Sequence, residues 1–561
     1  MRKLYVIVFL VSLFIITDSA YPQLKLNVKV SASNLFRYGN GNEITVTSKN
    51  NKEYFEELGD VRLFVNDFLF GIRYEYDDPI EFGTGTKGIS RRFVEFKKDD
   101  FTVRAGNFYE IFEKGLSLYA FENRGLGYNT QLDGFKVNYK KSWKNVKLNA
   151  TLLGGGLNYD DYLTPGRVDK YSIRAGNFNL SPFKFITIGG SYLYTKGDVP
   201  SGANVFNIKA EIYEASLGLQ YKFLNLFASY ANKQTITAIN PENPRWISPR
   251  GDGGYGSISF AKEGLGATLE YKNYRFNVVT PDEAQNNTSP VKALPFQIPP
   301  SCIREHTSML LSRYPHQVNF NDEVGFQLDA FYSPNENLTF NLNASLSSKH
   351  YDYLDVDTTV KTRYQRVERN TDFLPSPEDA FSPYWEVYLE AEYYFKKNMK
   401  FRIAAARQSS VIYSIINPGS SDKVRTFTIP VEVKYDFLKI YSVKLFAEQQ
   451  WVFNSARTYT PEEDSRKFFN EFLSLSVSRS PNLIISGSLE LSNDNEDPSR
   501  ENPEGKIVMW GIGEITYKFT PANSVTLSYG SERGGLKCTS GICRYVNPFE
   551  GFRLTVINNF N

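Results

Sequence analysis

Few residues in this chain are equipped for chemistry. In 561 residues there are three cysteines and three histidines, so any thiol or metal chemistry draws on a very short list. Cys538 and Cys543 are separated by a four-residue spacer in Leu536-Lys-Cys-Thr-Ser-Gly-Ile-Cys-Arg544. In an oxidising compartment such a close pair reads as a disulfide. Closing so short a loop stiffens local geometry, worth about 2 kcal/mol or less on chain-entropy grounds. A metal or redox pair is the rival reading, but no histidine stands nearby. Cys302 is left over, either free or paired elsewhere. His306 and His316 share the stretch 276–321 with Cys302 and six prolines, without a third ligand at zinc spacing. A catalytic pair would have to use His306, His316 or His350, and no local motif supports one, so neither enzymatic activity nor a cofactor is expected. Acidic clusters occur at Asp352, Asp355 and Asp357 and at Asp494, Glu496 and Asp497. Neither has the ligand-Gly-Glu order of a calcium loop, and solvated loop charge is the simpler reading.

The elements that would hold these groups are strands. Aromatic residues make up 15% of the chain, with 37 Tyr and 43 Phe against 4 Met, a composition suited to pleated sheets. Alternation of period 2 begins at Leu24 and runs to the C-terminus. Leu338, Phe340, Leu342, Ala344 and Leu346 share one face against Thr339, Asn341, Asn343, Ser345 and Ser347. Tyr213, Ala215, Leu217, Leu219 and Tyr221 likewise oppose Glu214, Ser216, Gly218, Gln220 and Lys222. About 24 such segments can be marked, each boundary good to a few residues.

The connections are sided. Tight turns follow the even-numbered segments, as at Asn66-Asp67, Asp100, Leu180-Ser-Pro182, Leu224, Glu263, Asn398 and Pro481. Long loops follow odd-numbered ones, including 39–51, 109–130, 237–253, 276–321, 350–382, 494–506 and 533–549. Short turns at one end and long loops at the other are the pattern of an outer-membrane barrel. The fold class expected is therefore all-β: one antiparallel transmembrane β-barrel of about 24 strands (22–26), with periplasmic turns and extracellular loops.

Charges of both signs on the polar face set the facing. Lys147, Glu214, Lys222, Glu270, Lys272, Arg402, Lys444, Glu448 and Glu490 are expected to line a hydrated or salt-bridged lumen, because Lys or Arg facing mid-bilayer lipid costs about 2–4 kcal/mol. Sheet edges cannot stay open in hydrocarbon, so the sheet must close. Leu342→Arg should then impair assembly and Asn343→Arg should be tolerated.

Both chain ends fit this reading. Met1-Arg2-Lys3 precedes the apolar run Leu4–Ile16, and small residues follow at Thr17 and Ser19. This reads as a signal peptide of residues 1–19 cleaved after Ser19, leaving 20–561 as the barrel. About 13 apolar residues are too few to span the bilayer. Mean hydropathy is −0.39, and no later run approaches helical span length. At the other end Phe552, Leu554, Val556 and Phe560 share a face, the form of the C-terminal signal read by the barrel assembly machinery. Asn558 and Asn561 depart from that form.

Two stretches carry a resemblance. Ala105-Gly-Asn-Phe-Tyr-Glu-Ile-Phe-Glu-Lys-Gly-Leu116, followed by Glu122-Asn-Arg-Gly-Leu-Gly127 and Leu132-Asp-Gly134, resembles a family of large porin-like outer-membrane proteins of unestablished function. The tail with Arg533-Gly-Gly535, Cys538, Gly541-Ile-Cys-Arg544 and Gly551-Phe552 is similar to that family's end. The resemblance implies the barrel and its location, and no substrate.

So wide a barrel must conduct strongly or be obstructed. Loops 109–130 and 276–321 are the candidates for obstruction, with Glu122 and Arg124 at a constriction. A channel for small solutes is the leading expectation. A non-conducting scaffold displaying its loops to envelope partners is the alternative, and an energised receptor is disfavoured because strands start within a few residues of the signal. Expected partners are outer-membrane lipid and the assembly machinery. The formal charge of +2, without basic blocks, offers nothing to nucleic acid. The oligomeric state is left open.

Overall fold

The computed structural model describes residues 27–45, 48–160, 166–201, 204–238, 246–247, 250–276, 294–355, 364–369, 372–412, 421–459, 464–497 and 506–560. The proposed signal peptide and Asp357 lie outside them. Among the described residues the main sheet has 25 paired segments, one of which, Trp246–Ile247, is a two-residue flap. The other 24 form a single closed antiparallel barrel, the class that the alternation predicts. Each wall strand pairs with its neighbours in sequence. The first, Val28–Thr45, closes the ring on the last, Phe549–Phe560, from Ala32 opposite Phe560 to Glu43 opposite Phe549. Closure leaves no backbone edge unpaired, the condition for a sheet in hydrocarbon.

Strand ends move relative to the sequence reading. Residues 39–45 and 48–51 continue the first hairpin rather than forming a loop. The strand Val168–Phe183 runs through Leu180-Ser-Pro182 with a register shift, so its turn falls at Lys184-Phe185. A bulge accommodates Pro182, which has no N–H to give the ladder. The turn expected at Leu224 falls at Lys222-Phe223, and Lys222 adopts a φ of 52°. Lys222 is therefore a turn residue and not a wall residue.

The wall is inverted relative to a soluble protein in its turn-side half. In Asn204–Tyr221, Leu217 is 42% exposed and Tyr221 65%, while Glu214 between the sheet and the axis is 5% exposed. An apolar outer face meets lipid without penalty, and the polar inner face meets water. Exposed rings mark the two limits of the band: Phe101, Trp143, Phe183, Phe223 and Phe519 near the turns, and Tyr192, Tyr213, Tyr230 and Trp451 nearer the loops. Such aromatic girdles sit at membrane interfaces because each ring has an apolar body and a polar edge or tip.

Above the upper girdle the pattern changes phase. In that same strand Phe206, Ile208, Ala210 and Ile212 point inward and are at most 7% exposed, whereas Asn207 and Lys209 point outward into solvent. The neighbouring wall repeats this: Tyr171, Ile173 and Ala175 are buried inward, and Lys170, Ser172 and Arg174 are exposed outward. The strands outrun the membrane, so their loop-side half has water outside. On this side of the barrel the inner face there is apolar rather than polar as expected, whereas in the strands between Tyr384 and Ser492 it stays polar, with Gln408, Thr428, Gln450 and Asn470 buried inward.

Candidate functional site

The filling is supplied by two loops. Residues 109–131 form a compact unit, with an isolated bridge from Ile111 to Tyr119 and the pairing of Glu122-Asn123 with Tyr128-Asn129. The turn Arg124–Leu126 between them is capped by Asn123, whose side-chain oxygen accepts from Leu126 N–H at 3.2 Å, and leaves through Gly127 at φ 57°. Residues 294–321 run through the lumen as irregular chain. The loops are bonded to each other: Tyr119 N–H donates to the Phe296 carbonyl at 2.7 Å, Gln297 Nε2 to the Leu116 carbonyl at 2.8 Å, and Tyr128 Oη to the Pro295 carbonyl. Gly115 has a φ of 88°, and a Cβ there would stand 2.5 Å from the Ile298 carbonyl oxygen, so only glycine admits this approach.

Around these bonds lies an apolar cluster. Phe112, Leu116, Leu118, Phe296 and Ile298 from the loops pack with inward residues Ile173, Leu193, Ile208 and Ile212 of the wall. Burying each such side chain is worth about 1.5–3 kcal/mol. The inverted phase of the wall and the insertion of the loops are thus one feature: neither surface is stable in water without the other.

Charged groups fix the loops to the wall. Glu122 receives Arg73 Nη1 at 2.8 Å and Arg91 Nη2 at 2.9 Å. Burial alone would raise the Glu122 carboxyl, but the Arg73 and Arg91 guanidiniums outweigh it and hold the group below the usual carboxylate range. Arg124 reaches Glu75 at 2.8 Å, Glu56 at 3.4 Å and Asp77 at 3.6 Å. Both residues singled out in the sequence therefore sit at the point where the first loop meets the wall. Ser117 Oγ donates to Glu214 at 2.5 Å, and Asn177 Nδ2 to Glu113 at 3.0 Å.

The second loop is tied at intervals. Tyr274 Oη donates to the Pro300 carbonyl at 2.8 Å, and Lys272 donates to the Ser301 carbonyl while pairing with Glu323 at 3.2 Å. His306 meets Glu386 at 2.7 Å, and His316 meets Glu323 while stacking on Tyr384. Glu448 accepts Met309 N–H at 2.9 Å and Leu310 N–H at 2.6 Å. Arg313 engages Glu490, which also holds Arg533 at 2.8 Å.

Of the side chains assigned to the lumen, Glu214, Lys272, Glu448 and Glu490 are buried on the inner face as loop anchors. Glu270 accepts from Tyr255 Oη, Arg402 reaches Glu432 at 2.9 Å, and Lys444 reaches the same carboxylate at 3.2 Å. Lys147 is exposed at the turn end. Cys538 and Cys543 are disulfide-bonded across a small hairpin, and Cys302 is buried. Burial pushes the Cys302 thiol well up, so it stays protonated. Asp494 and Asp497 are not solvated loop charges. They are 2% and 9% exposed, paired with Arg457 at 2.8 Å and Arg533 at 2.7 Å. Among the described residues no three His, Cys, Asp or Glu side chains are grouped to hold a metal. The sequence reading missed Arg73, Tyr274 and His306 as tethers, because each acts on a partner far away in the chain. Phe552, Leu554 and Val556 lie in the last strand, opposite Asn40, Tyr38 and Phe36 across the closing seam, with Phe560 exposed at its end.

A closed antiparallel wall with a lipid-compatible outer band, occupied by its own loops, defines a large transmembrane β-barrel. The chain belongs to the family of unknown function DUF6029, whose sequence model matches residues 1–560. Among curated proteins none matches. The fold is similar to that of the siderophore receptor PirA from Pseudomonas aeruginosa, at a TM-score of 0.44 and 9% identity over 95% of this chain and 81% of that one. It is also similar to the alcaligin outer-membrane receptor FauA from Bordetella pertussis (TM-score 0.42, 9% identity, 95% and 76% covered). The P pilus usher (PapC) translocation pore gives a TM-score of 0.36 at 10% identity, with 95% and 99% covered.

Proposed function

We propose that this chain is exported by the signal peptide 1–19, inserted through its C-terminal segment by the barrel assembly machinery, and serves in the outer membrane as a channel for small solutes constricted by its own loops. The observation that carries this reading is the division of the lumen. Its loop-side half is filled by 109–131 and 294–321, and its turn-side half keeps exposed inward charges such as Glu514 and Lys147. A purely structural barrel has no need of a hydrated half. The first loop and the start of the second share one apolar cluster with the wall, and beyond it the second loop is held by separate polar tethers.

Planar bilayers test it. The intact chain is expected to give small discrete conductance steps, and replacing 296–318 with a short Gly-Ser linker should enlarge them several-fold. A correctly folded barrel that stays silent in both forms would leave the scaffold reading in its place.

A further inference from the structure

Residues 372–376, in the connection between Leu338–Ser348 and Tyr384–Tyr394, lie against the outside of the wall. Asp372 receives Arg275 Nη1 at 3.0 Å, and its carbonyl accepts from Asn273 Nδ2 at 2.8 Å. Ser376 N–H donates to Ser348 Oγ at 2.9 Å. Asn273, Arg275 and Ser348 all belong to the outward-facing set, since their strand neighbours Lys272, Tyr274 and Ser347 are buried on the inner side. The segment also covers His350, 1% exposed and bonded to Asp322 at 3.0 Å and to Asn273 at 3.1 Å. A polar cluster on the outer wall is thereby sealed.

The level at which the segment sits decides its use. The Phe373 carbonyl accepts from Tyr271 Oη at 3.1 Å. Tyr271 packs against Phe326 with ring centroids 4.8 Å apart, and directly below on the same face come Leu269, 43% exposed, and its partner Leu328. The segment therefore rests where the lipid band ends, and there Phe373 and Leu374 project with 71% and 58% of their surface exposed. Two adjacent large apolar side chains held outward by a bonded backbone are stable at an acyl-chain boundary and costly in water.

We infer that Phe373 and Leu374 insert into the outer leaflet, so that segment 372–376 is an interfacial lipid anchor. The inference rests on the membrane placement proposed above, and the partner is the lipid surface itself. Burying two such side chains favours the docked loop and screens the polar cluster beneath it from water.

The free thiols make the test direct. Cys302 is buried and the other two cysteines are bonded to each other, so Phe373→Cys supplies one accessible thiol for an environment-sensitive fluorophore. The full-length barrel in phosphatidylcholine vesicles is compared with Leu269→Cys, at the outer face of the wall, and Lys209→Cys, exposed above the girdle, as an aqueous control. Quenching by lipid carrying a nitroxide near the head of its acyl chain should exceed quenching by iodide severalfold at 373 and at 269, with the opposite order at 209. Lipid quenching at 269 with iodide quenching at 373 overturns the inference and leaves the barrel intact. Iodide quenching at 269 overturns the membrane placement and the inference together.

Discussion

Tyr274→Phe is the sharpest probe of whether the second loop is held inside the lumen. The substitution deletes one hydroxyl from a fully buried ring and leaves the strand Leu265–Arg275 otherwise unchanged. That hydroxyl donates to the Pro300 carbonyl at 2.8 Å, two residues from Cys302. Losing a neutral hydrogen bond costs about 1 kcal/mol net, rising to ~3 kcal/mol if the carbonyl is left without a donor. Since ~1.4 kcal/mol is a factor of ten, local opening of 300–302 should become roughly 5 to 150 times more frequent. Cys302 reports this without any engineered label. Its thiol is shielded and kept protonated by burial, so a maleimide reacts only from the opened state. The assay is the rate of mass gain on the folded barrel, with folding checked by heat-modifiable migration on a gel. An unchanged rate in a folded variant, or rapid labelling of the unaltered chain, would refute the account of the loop as a tethered obstruction.

Four further outcomes are expected. Arg124→Ala removes the cation shared by Glu56, Glu75 and Asp77, whose side chains are 3%, 7% and 1% exposed, and should loosen loop 109–131 by ~3 kcal/mol, seen as protease nicking of that loop in intact vesicles. Glu448→Ala removes the acceptor of two amides, so hydrogen exchange at Met309 and Leu310 should speed up about 30-fold or more, for a loss of ~2 kcal/mol. Glu122 is held below the ordinary carboxylate range, so its tether is fully present above about pH 4.3 and weakens as pH falls through the lowered value; conductance should rise on acidification below about pH 4. Leu342→Arg, on the outer face, should reduce assembled barrel by ~2–4 kcal/mol of destabilisation, whereas Glu514→Arg, exposed on the inner face, should assemble normally. Asn343 does not serve as the tolerated control expected from the sequence, because it is fully buried and donates to Asp329 at 3.0 Å.

What the sequence determined by itself is local. Alternation has a period of two residues, and turn chemistry occupies two or three, so the strands, the tight turns and the even closure can be read from neighbours alone. The phase change at Ile212-Tyr213 was also written there, since Phe206, Ile208, Ala210 and Ile212 share the parity of Glu214. A single facing rule along the strand does not reveal it, because the surroundings change from lipid to water partway up. Glu122 and Arg124 stood out by type and place, but their partners did not. Only the closed ring decides where 294–321 goes: irregular chain has no periodicity to read, and its tethers span separations such as Met309 to Glu448 and Arg313 to Glu490. Those contacts exist because closure of 24 strands encloses a space that loops of this length can reach, with an apolar inner face on one side that must be covered and buried carboxylates and amides on the other that must be paired.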